Sequence, residues 1–253
     1  MNQSSVSLVK PGGKLESATN VEKREDVINE EQLLPNTTIV THCIYRNDTE
    51  TLKRCFEDPT SPYKDQMNEL LNQRDDDGKS PLDVAAILER TDIVKMLIQF
   101  GADVNIFTSK GYSCLHYAAL WGRLEVLQIL VENGGNLYQR NIHGETPRDA
   151  ALRYNQTESA TYLELAEEKG KLQSEITKAL AQIHEMDKSL AGRITRDEKN
   201  IVINTCKGKQ EWLNNISTEV ALDVKMQCLE LTETVQPVLA KLSDPSPDKH
   251  DKQ

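Results

Sequence analysis

At positions 110–119 the chain reads Lys110-Gly111-Tyr112-Ser113-Cys114-Leu115-His116-Tyr117-Ala118-Ala119. The same phrase, with substitutions, occupies residues 77–86 and residues 143–152. One glycine marks each copy, and the spacing of Gly78, Gly111 and Gly144 is 33 both times (111 − 78 and 144 − 111). A fixed period of this length predicts a stack of similar units that contact only their neighbours.

Each copy carries the signals that start a helix. A hydroxyl side chain, from Ser80, Ser113 or Thr146, stands where it can accept an orphan backbone N–H at the N-cap. In two copies a proline follows, at the first helical position where no donor is lost. A second apolar stripe follows each phrase, so the pattern predicts two helices per unit.

A 33-residue unit with a G-x-[ST]-P-L-H-x-A core resembles the ankyrin repeat, which has two antiparallel helices and a protruding β-turn. The resemblance implies an all-α solenoid, and residues from Thr37 onward supply a degenerate first repeat, giving about four repeats. Three positions depart from the pattern. We expect Glu89, at a turn glycine, and Cys114, at the proline, to cost some stability. We expect Arg148, at a core leucine, to lie on the wetter outer face of a terminal repeat.

Beyond Leu165 the 33-residue period stops and heptad spacing begins. A first helix that ends at Gly192, a second that opens at a Thr195–Glu198 capping box, and a third over residues 220–242 predict a small three-helix bundle. Trp212 is expected in its core. The apolar positions that define the first seam are Leu172, Ile176, Ala179, Ile183, Met186 and Leu190.

The bundle segment also resembles the helical lid of 70-kilodalton heat-shock chaperones. The resemblance rests on Gly192-Arg193-Ile194-Thr195, on Val202 and Cys206, and on Trp212-Leu213-Asn214 at matching spacing. It implies lid-like packing. It does not imply peptide capture, since no ATPase domain or substrate-binding β-sandwich accompanies the segment.

The sequence therefore divides into four parts. We expect a disordered tail over 1–35, ankyrin repeats over 36–168, a helical bundle over 169–243 and a second disordered tail over 244–253.

Charge and cysteine content restrict the class of protein. The net charge is −10, and residues from 157 onward hold 13 Lys+Arg against 17 Asp+Glu, so neither part is basic and nucleic acid is not an expected partner. No apolar run reaches the roughly 20 residues of a membrane span, and no signal segment starts the chain. Five cysteines without a CxxC pair indicate free thiols. We expect a cytoplasmic location, with association with cytoskeletal structures as a further option.

Binding residues follow from the ankyrin resemblance, because ankyrin partners usually touch the hairpin tips and the exposed face of the first helices. The residues this implies as partner-binding are Asp76, Asp77, Lys79, Leu88, Tyr112, Leu120, Trp121, Arg153 and Tyr154. An aromatic strip of this kind is typical of binding hot spots, although packing of Trp121 against the next repeat is an equal alternative.

Catalytic, cofactor and metal sites are not expected. Cys114 and His116 are two residues apart, but both fall on repeat positions where a structural role is expected, the histidine bonding the neighbouring loop. Asp75, Asp76 and Asp77 lack the spacing and the closing glutamate of a calcium loop and are expected to form a solvated hairpin tip.

Function is predicted as a non-catalytic adaptor that holds a protein partner on the concave face of the stack. The alternatives are a chaperone-linked regulator that acts through the lid-like bundle, a scaffold that self-associates as a coiled coil through its heptad seams, and an enzyme.

Overall fold

The computed structural model describes residues 33–189, 194–216 and 220–243. Within these ranges it contains no strand, only an isolated bridge between Phe107 and Ser113. The all-α prediction is confirmed. The helices are α1 Ile39–Arg46, α2 Thr49–Glu57, α3 Met67–Leu70, α4 Pro81–Ile87, α5 Thr91–Gln99, α6 Cys114–Leu120, α7 Leu124–Glu132, α8 Pro147–Arg153, α9 Thr157–Ser189, α10 Arg196–Asn215 and α11 Ala221–Ser243.

Four helical hairpins form the repeat stack: α1 with α2, α4 with α5, α6 with α7, and α8 with the start of α9. Each first helix ends in a left-handed residue that turns the chain, and these residues are Asn47, Glu89, Gly122 and Asn155. The predicted solenoid of about four repeats is confirmed. The long connection after α2 contains a 3-10 turn, Lys64–Gln66, followed by α3.

Small buried side chains let the first helices approach one another. Ala85, Ala86, Ala118 and Ala119 are fully buried, and α4 packs against α6 as α6 packs against α8. Polar bonds between loops then fix the register of neighbouring units. For example, Asn105 Oδ1 accepts the backbone N–H of Asn136 at 2.8 Å.

The two departures from the repeat pattern in the second and third units are locally compensated. Glu89 adopts the left-handed conformation (φ 56°) that glycine usually takes, and its carboxylate pairs with Arg123 of the next repeat at 2.6 Å. Cys114 is buried, and its Sγ donates to the carbonyl of Val104 at 3.1 Å. Each residue thus makes a contact between or within units that a glycine or a proline could not make.

Arg148 lies on the last repeat with its side chain 32% exposed, and ion pairs to α9 hold it in place. The guanidinium lies between helices and reaches Glu164 at 3.3 Å and Glu167 at 3.4 Å, both on α9. Lys225 of α11 binds the same Glu164 carboxylate at 2.9 Å. The arginine therefore belongs to an ion-pair network that links α8 to α9 and α9 to α11.

Helix α9 crosses from the repeats into the bundle without a break. Its first part, with Ala160 and Leu163, is buried in the core of the repeats, while Leu172 and Ile176 are buried in a second core. The point between residues 168 and 169, where the sequence suggested a boundary, lies inside this helix.

The second core is that of the predicted three-helix bundle of α9, α10 and α11. The seam residues Leu172, Ile176, Ala179 and Ile183 are all buried, and Thr195 caps α10 in a capping box with Glu198. Trp212 packs against the edge of this core and is only partly buried. The predictions for Gly192, for the side chains of Met186 and Leu190, and for the tails at 1–32 and 244–253 fall outside the described residues.

A candidate binding groove on the first helices

The first helices of the second, third and fourth repeats each end in a large exposed or half-exposed side chain. Leu88, Trp121 and Tyr154 are spaced by 33 residues (121 − 88 and 154 − 121), and each is the C-cap of its helix. Trp121 is 53% exposed and Tyr154 is 48% exposed. About half of the Trp121 side chain is therefore available to a partner.

These side chains line one open groove of about 610 Å³, which we call the concave groove. Its apolar floor comes from four repeats, so that it crosses the whole stack rather than lying within one unit. The residues that line it are Tyr45, Asp75, Asp77, Lys79, Val84, Ile87, Leu88, Tyr117, Leu120, Trp121, Tyr154 and Gln156.

Six of the nine predicted binding residues lie on this groove, and the other three lie beside it. Tyr112 is partly buried and stacks on Tyr117, with ring centroids 5.7 Å apart. Arg153 pairs with Glu145 at 3.0 Å and holds its guanidinium 4.8 Å above the ring of Tyr154. Asp76 lines an adjoining pocket.

Two aromatic residues of the groove escaped the sequence prediction. Tyr117 lies one helical turn before Trp121 on the same face of α6. Tyr45, 46% exposed on α1, stands in the repeat register of Leu120. Extending the register into the degenerate first repeat would have identified Tyr45, whereas Tyr117 appeared only as part of the repeated phrase.

The charged end of the groove is built from the second hairpin. Asp75 Oδ1 accepts the backbone N–H groups of Asp77 and Lys79 at 3.0 and 2.8 Å, which holds the loop in shape. The Asp77 carboxylate accepts a hydrogen bond from Lys79 Nζ at 2.6 Å. This bond lowers the pKa of Asp77 and raises that of Lys79, so both groups stay charged at neutral pH. As expected of a hairpin tip, the Asp76 side chain is exposed.

The Cys114–His116 pair has a structural role in this geometry. Ser113 N–H donates to His116 Nδ1 at 3.2 Å, and the other ring nitrogen lies 3.1 Å from the carbonyl oxygen of Glu145 in the next repeat. Burial lowers the pKa of His116 and raises that of Cys114, so the thiolate that a nucleophile needs is disfavoured. His116 thus links two repeats, as expected.

In the part of the chain that the structure describes, no group of three or more His, Cys, Asp or Glu side chains could hold a metal ion. Over the described ranges, no helix combines the length and the apolar character needed to cross a bilayer.

A second exposed apolar surface lies on the bundle. Leu222, Met226 and Leu229 of α11 are 64%, 50% and 56% exposed. Their spacing of four and three residues places them on one face of the helix, while Val224 and Leu231 on the other side are buried in the bundle core. We call the three residues the α11 stripe.

Comparison with known proteins agrees with this architecture. The family model for ankyrin repeats (many copies) matches residues 82–131 and 115–164. Ankyrin repeat domain-containing protein 45 of zebrafish is 38% identical over 202 residues, which is 79% of this chain and 90% of the relative. The human protein of the same name is 30% identical over 78% of this chain and 74% of its own length, and the mouse protein is 35% identical over 78% and 79%.

The repeat register, the four stacked hairpins and the extent of these matches lead to one assignment. The chain belongs to the ankyrin-repeat family represented by ankyrin repeat domain-containing protein 45.

Proposed function

We propose that the chain is a non-catalytic adaptor that holds a segment of a protein partner in the concave groove. Ankyrin repeats generally mediate protein–protein interaction, which gives the class of activity. The observation that supports the groove in particular is the exposed pair Trp121 and Tyr154 on an apolar floor that spans four repeats. Large aromatic side chains in such a position are the usual hot spots of an interface.

The polar groups of the groove fit binding rather than catalysis. They are carboxylates, one paired lysine, tyrosine hydroxyls and an amide. A surface of this composition can bind and orient a partner, and its lysine is held by Asp77 as an ammonium group rather than as a free amine nucleophile.

The test removes both aromatic anchors from the full-length chain as the double variant Trp121→Ala/Tyr154→Ala. Each anchor is expected to contribute about 2 kcal/mol or more to binding, so proteins captured from lysate by the wild type should fall below detection. The matched control is Ile201→Ala/Val220→Ala, which removes two exposed apolar side chains of the bundle that lie outside both the groove and the α11 stripe. Unchanged capture by the groove variant, with a wild-type circular dichroism spectrum, would contradict the proposal.

A second candidate function is favoured by the α11 stripe. Three exposed apolar side chains on one helix face are more than a solvated bundle needs. With the lid resemblance, this supports a chaperone-linked regulator in which the bundle contacts the heat-shock machinery.

Purified 70-kilodalton heat-shock chaperone, added to the full-length chain, tests this second candidate. Binding that is lost in Leu222→Ala/Met226→Ala/Leu229→Ala but retained in Trp121→Ala/Tyr154→Ala would support it. If the chaperone does not bind the wild-type chain, this second function is rejected. The full-length chain is required, because a fragment that starts near residue 170 would cut α9 in its middle.

A further inference from the structure

The electrostatics of the concave groove indicate what kind of segment it binds. The residues that line it include two carboxylates, Asp75 and Asp77, and one ammonium group, that of Lys79. Lys79 is already paired with Asp77 at 2.6 Å. The lining residues therefore carry one net negative charge, and Lys110, whose charge also lowers the pKa of Asp77, lies outside the lining.

The carboxylates concentrate at one end of the groove. Asp75 and Asp77 also line the adjoining pocket that contains Asp76, so the two depressions share this acidic edge. The cation in that pocket, Arg74, donates to the carbonyl oxygens of Gly78 at 2.8 Å and Phe107 at 2.6 Å, and it is thus committed to the hairpins.

The aromatic floor has the same preference. The exposed rings of Trp121 and Tyr45 carry a quadrupole that attracts a cation. The fold already uses this interaction at one edge, where the guanidinium of Arg153 lies 4.8 Å from the centroid of Tyr154. An arginine or lysine from a partner would meet aromatic faces and carboxylates within one groove.

We propose that the occupant of the concave groove is a peptide segment that carries Arg or Lys beside a large apolar residue. The apolar residue packs on Leu88, Leu120 and Trp121, and the cation lies toward the acidic edge. The net charge of −10 attracts such a segment at longer range. This inference rests on the proposed function and specifies the chemistry of the partner.

The experiment selects ligands without assuming a partner. A random peptide library displayed on phage is panned on the full-length chain, with counter-selection on Trp121→Ala to keep peptides that need the groove. The expected result is an excess of Lys and Arg over Asp and Glu, compared with the unselected library, and at least one large apolar residue in each enriched peptide. Trp121-dependent peptides that are neutral or acidic would overturn the inference while leaving the groove as a binding site.

The acidic edge is then tested directly with an enriched peptide. Asp76→Asn/Asp77→Asn removes two carboxylates and frees Lys79, and we expect about 10-fold weaker binding, from roughly 1 kcal/mol or less per surface charge. Asp92→Asn/Asp103→Asn makes the same change in net charge outside the groove and should alter affinity less than about 2-fold. Equal effects of the two variants would contradict local recognition. If no enriched peptide depends on Trp121, both the groove and this inference fail.

Discussion

Replacing Asp83 by asparagine should remove a pH-dependent loss of stability that is built into the second repeat. Asp83 occupies the position of His116 in the third repeat, but its shorter side chain is 1% exposed and its Oδ1 makes no hydrogen bond. Its other oxygen accepts the backbone N–H of Ser80 at 2.8 Å in a capping box. Burial raises the pKa of this carboxyl from 3.8 to about 6, more than the bonds from Ser80 lower it.

Proton linkage determines whether stability rises or falls with pH. An acid with a raised pKa in the folded state binds its proton more tightly there than in the unfolded chain, so stability falls as pH rises from about 4 to above 6. A shift from 3.8 to about 6 corresponds to roughly 3 kcal/mol, at about 1.4 kcal/mol per pH unit. The amide of Asp83→Asn keeps the oxygen for Ser80 and has no charge to bury.

The assay is urea denaturation of the wild type and of Asp83→Asn at several pH values. The free energy of unfolding of the variant, minus that of the wild type, should rise by roughly 2–3 kcal/mol between about pH 4 and pH 7.5. Taking this difference cancels titrations that both proteins share. If the difference stays constant across this range, the raised pKa of Asp83 and the cost of burying its charged carboxylate are refuted.

Asp149 provides the matched control. It is the equivalent residue of the fourth repeat and makes the same capping box with Thr146, but it is exposed. The hydrogen bond from the Thr146 backbone lowers its pKa, so its contribution is lost only as pH falls below the ordinary aspartate value. The difference for Asp149→Asn should therefore stay flat over the range in which that for Asp83→Asn rises.

Three further predictions concern packing. Gly111→Ala should lose about 1–2 kcal/mol more stability than Gly78→Ala, because both have φ near +75° but only the added Cβ at 111 meets backbone atoms, 2.9 Å away; equal losses in denaturant melts would contradict the close approach. Arg148→Leu should cost about 1–3 kcal/mol by leaving Glu167, whose side chain is 10% exposed, without its partner. Adding Glu167→Gln should recover most of that loss, and a single variant that is as stable as the wild type or more stable would contradict this prediction. Cys228 is half-buried while the other four cysteines are buried, so native thiol labelling should modify it first, and rapid labelling of a second thiol would be inconsistent with the core.

The repeat register could be predicted because its signals are local. A cap, a proline and a turn glycine act within a few residues of themselves, so their spacing identifies each hairpin without knowledge of its neighbours. The same register places Leu88, Trp121 and Tyr154 on one face, and the structure puts them in one groove.

What escaped prediction depends on contacts between distant segments. Arg148 looks like a surface replacement of a core leucine until Glu164 and Lys225, far apart in sequence, are seen to share its network. The continuity of α9 was likewise hidden, because the change from a 33-residue to a heptad pattern looks like a boundary although both patterns are helical.

The most direct test of the groove uses the fluorescence of Trp121. The chain has two tryptophans, so in a Trp212→Phe background Trp121 is the sole reporter, and its 53% exposure predicts strong quenching by acrylamide in the free protein. Saturation with a groove-selected basic peptide should suppress that quenching, and Tyr45→Ala should weaken the peptide's binding. Quenching of Trp121 that is the same with and without bound peptide would contradict the claim that the partner lies in the concave groove.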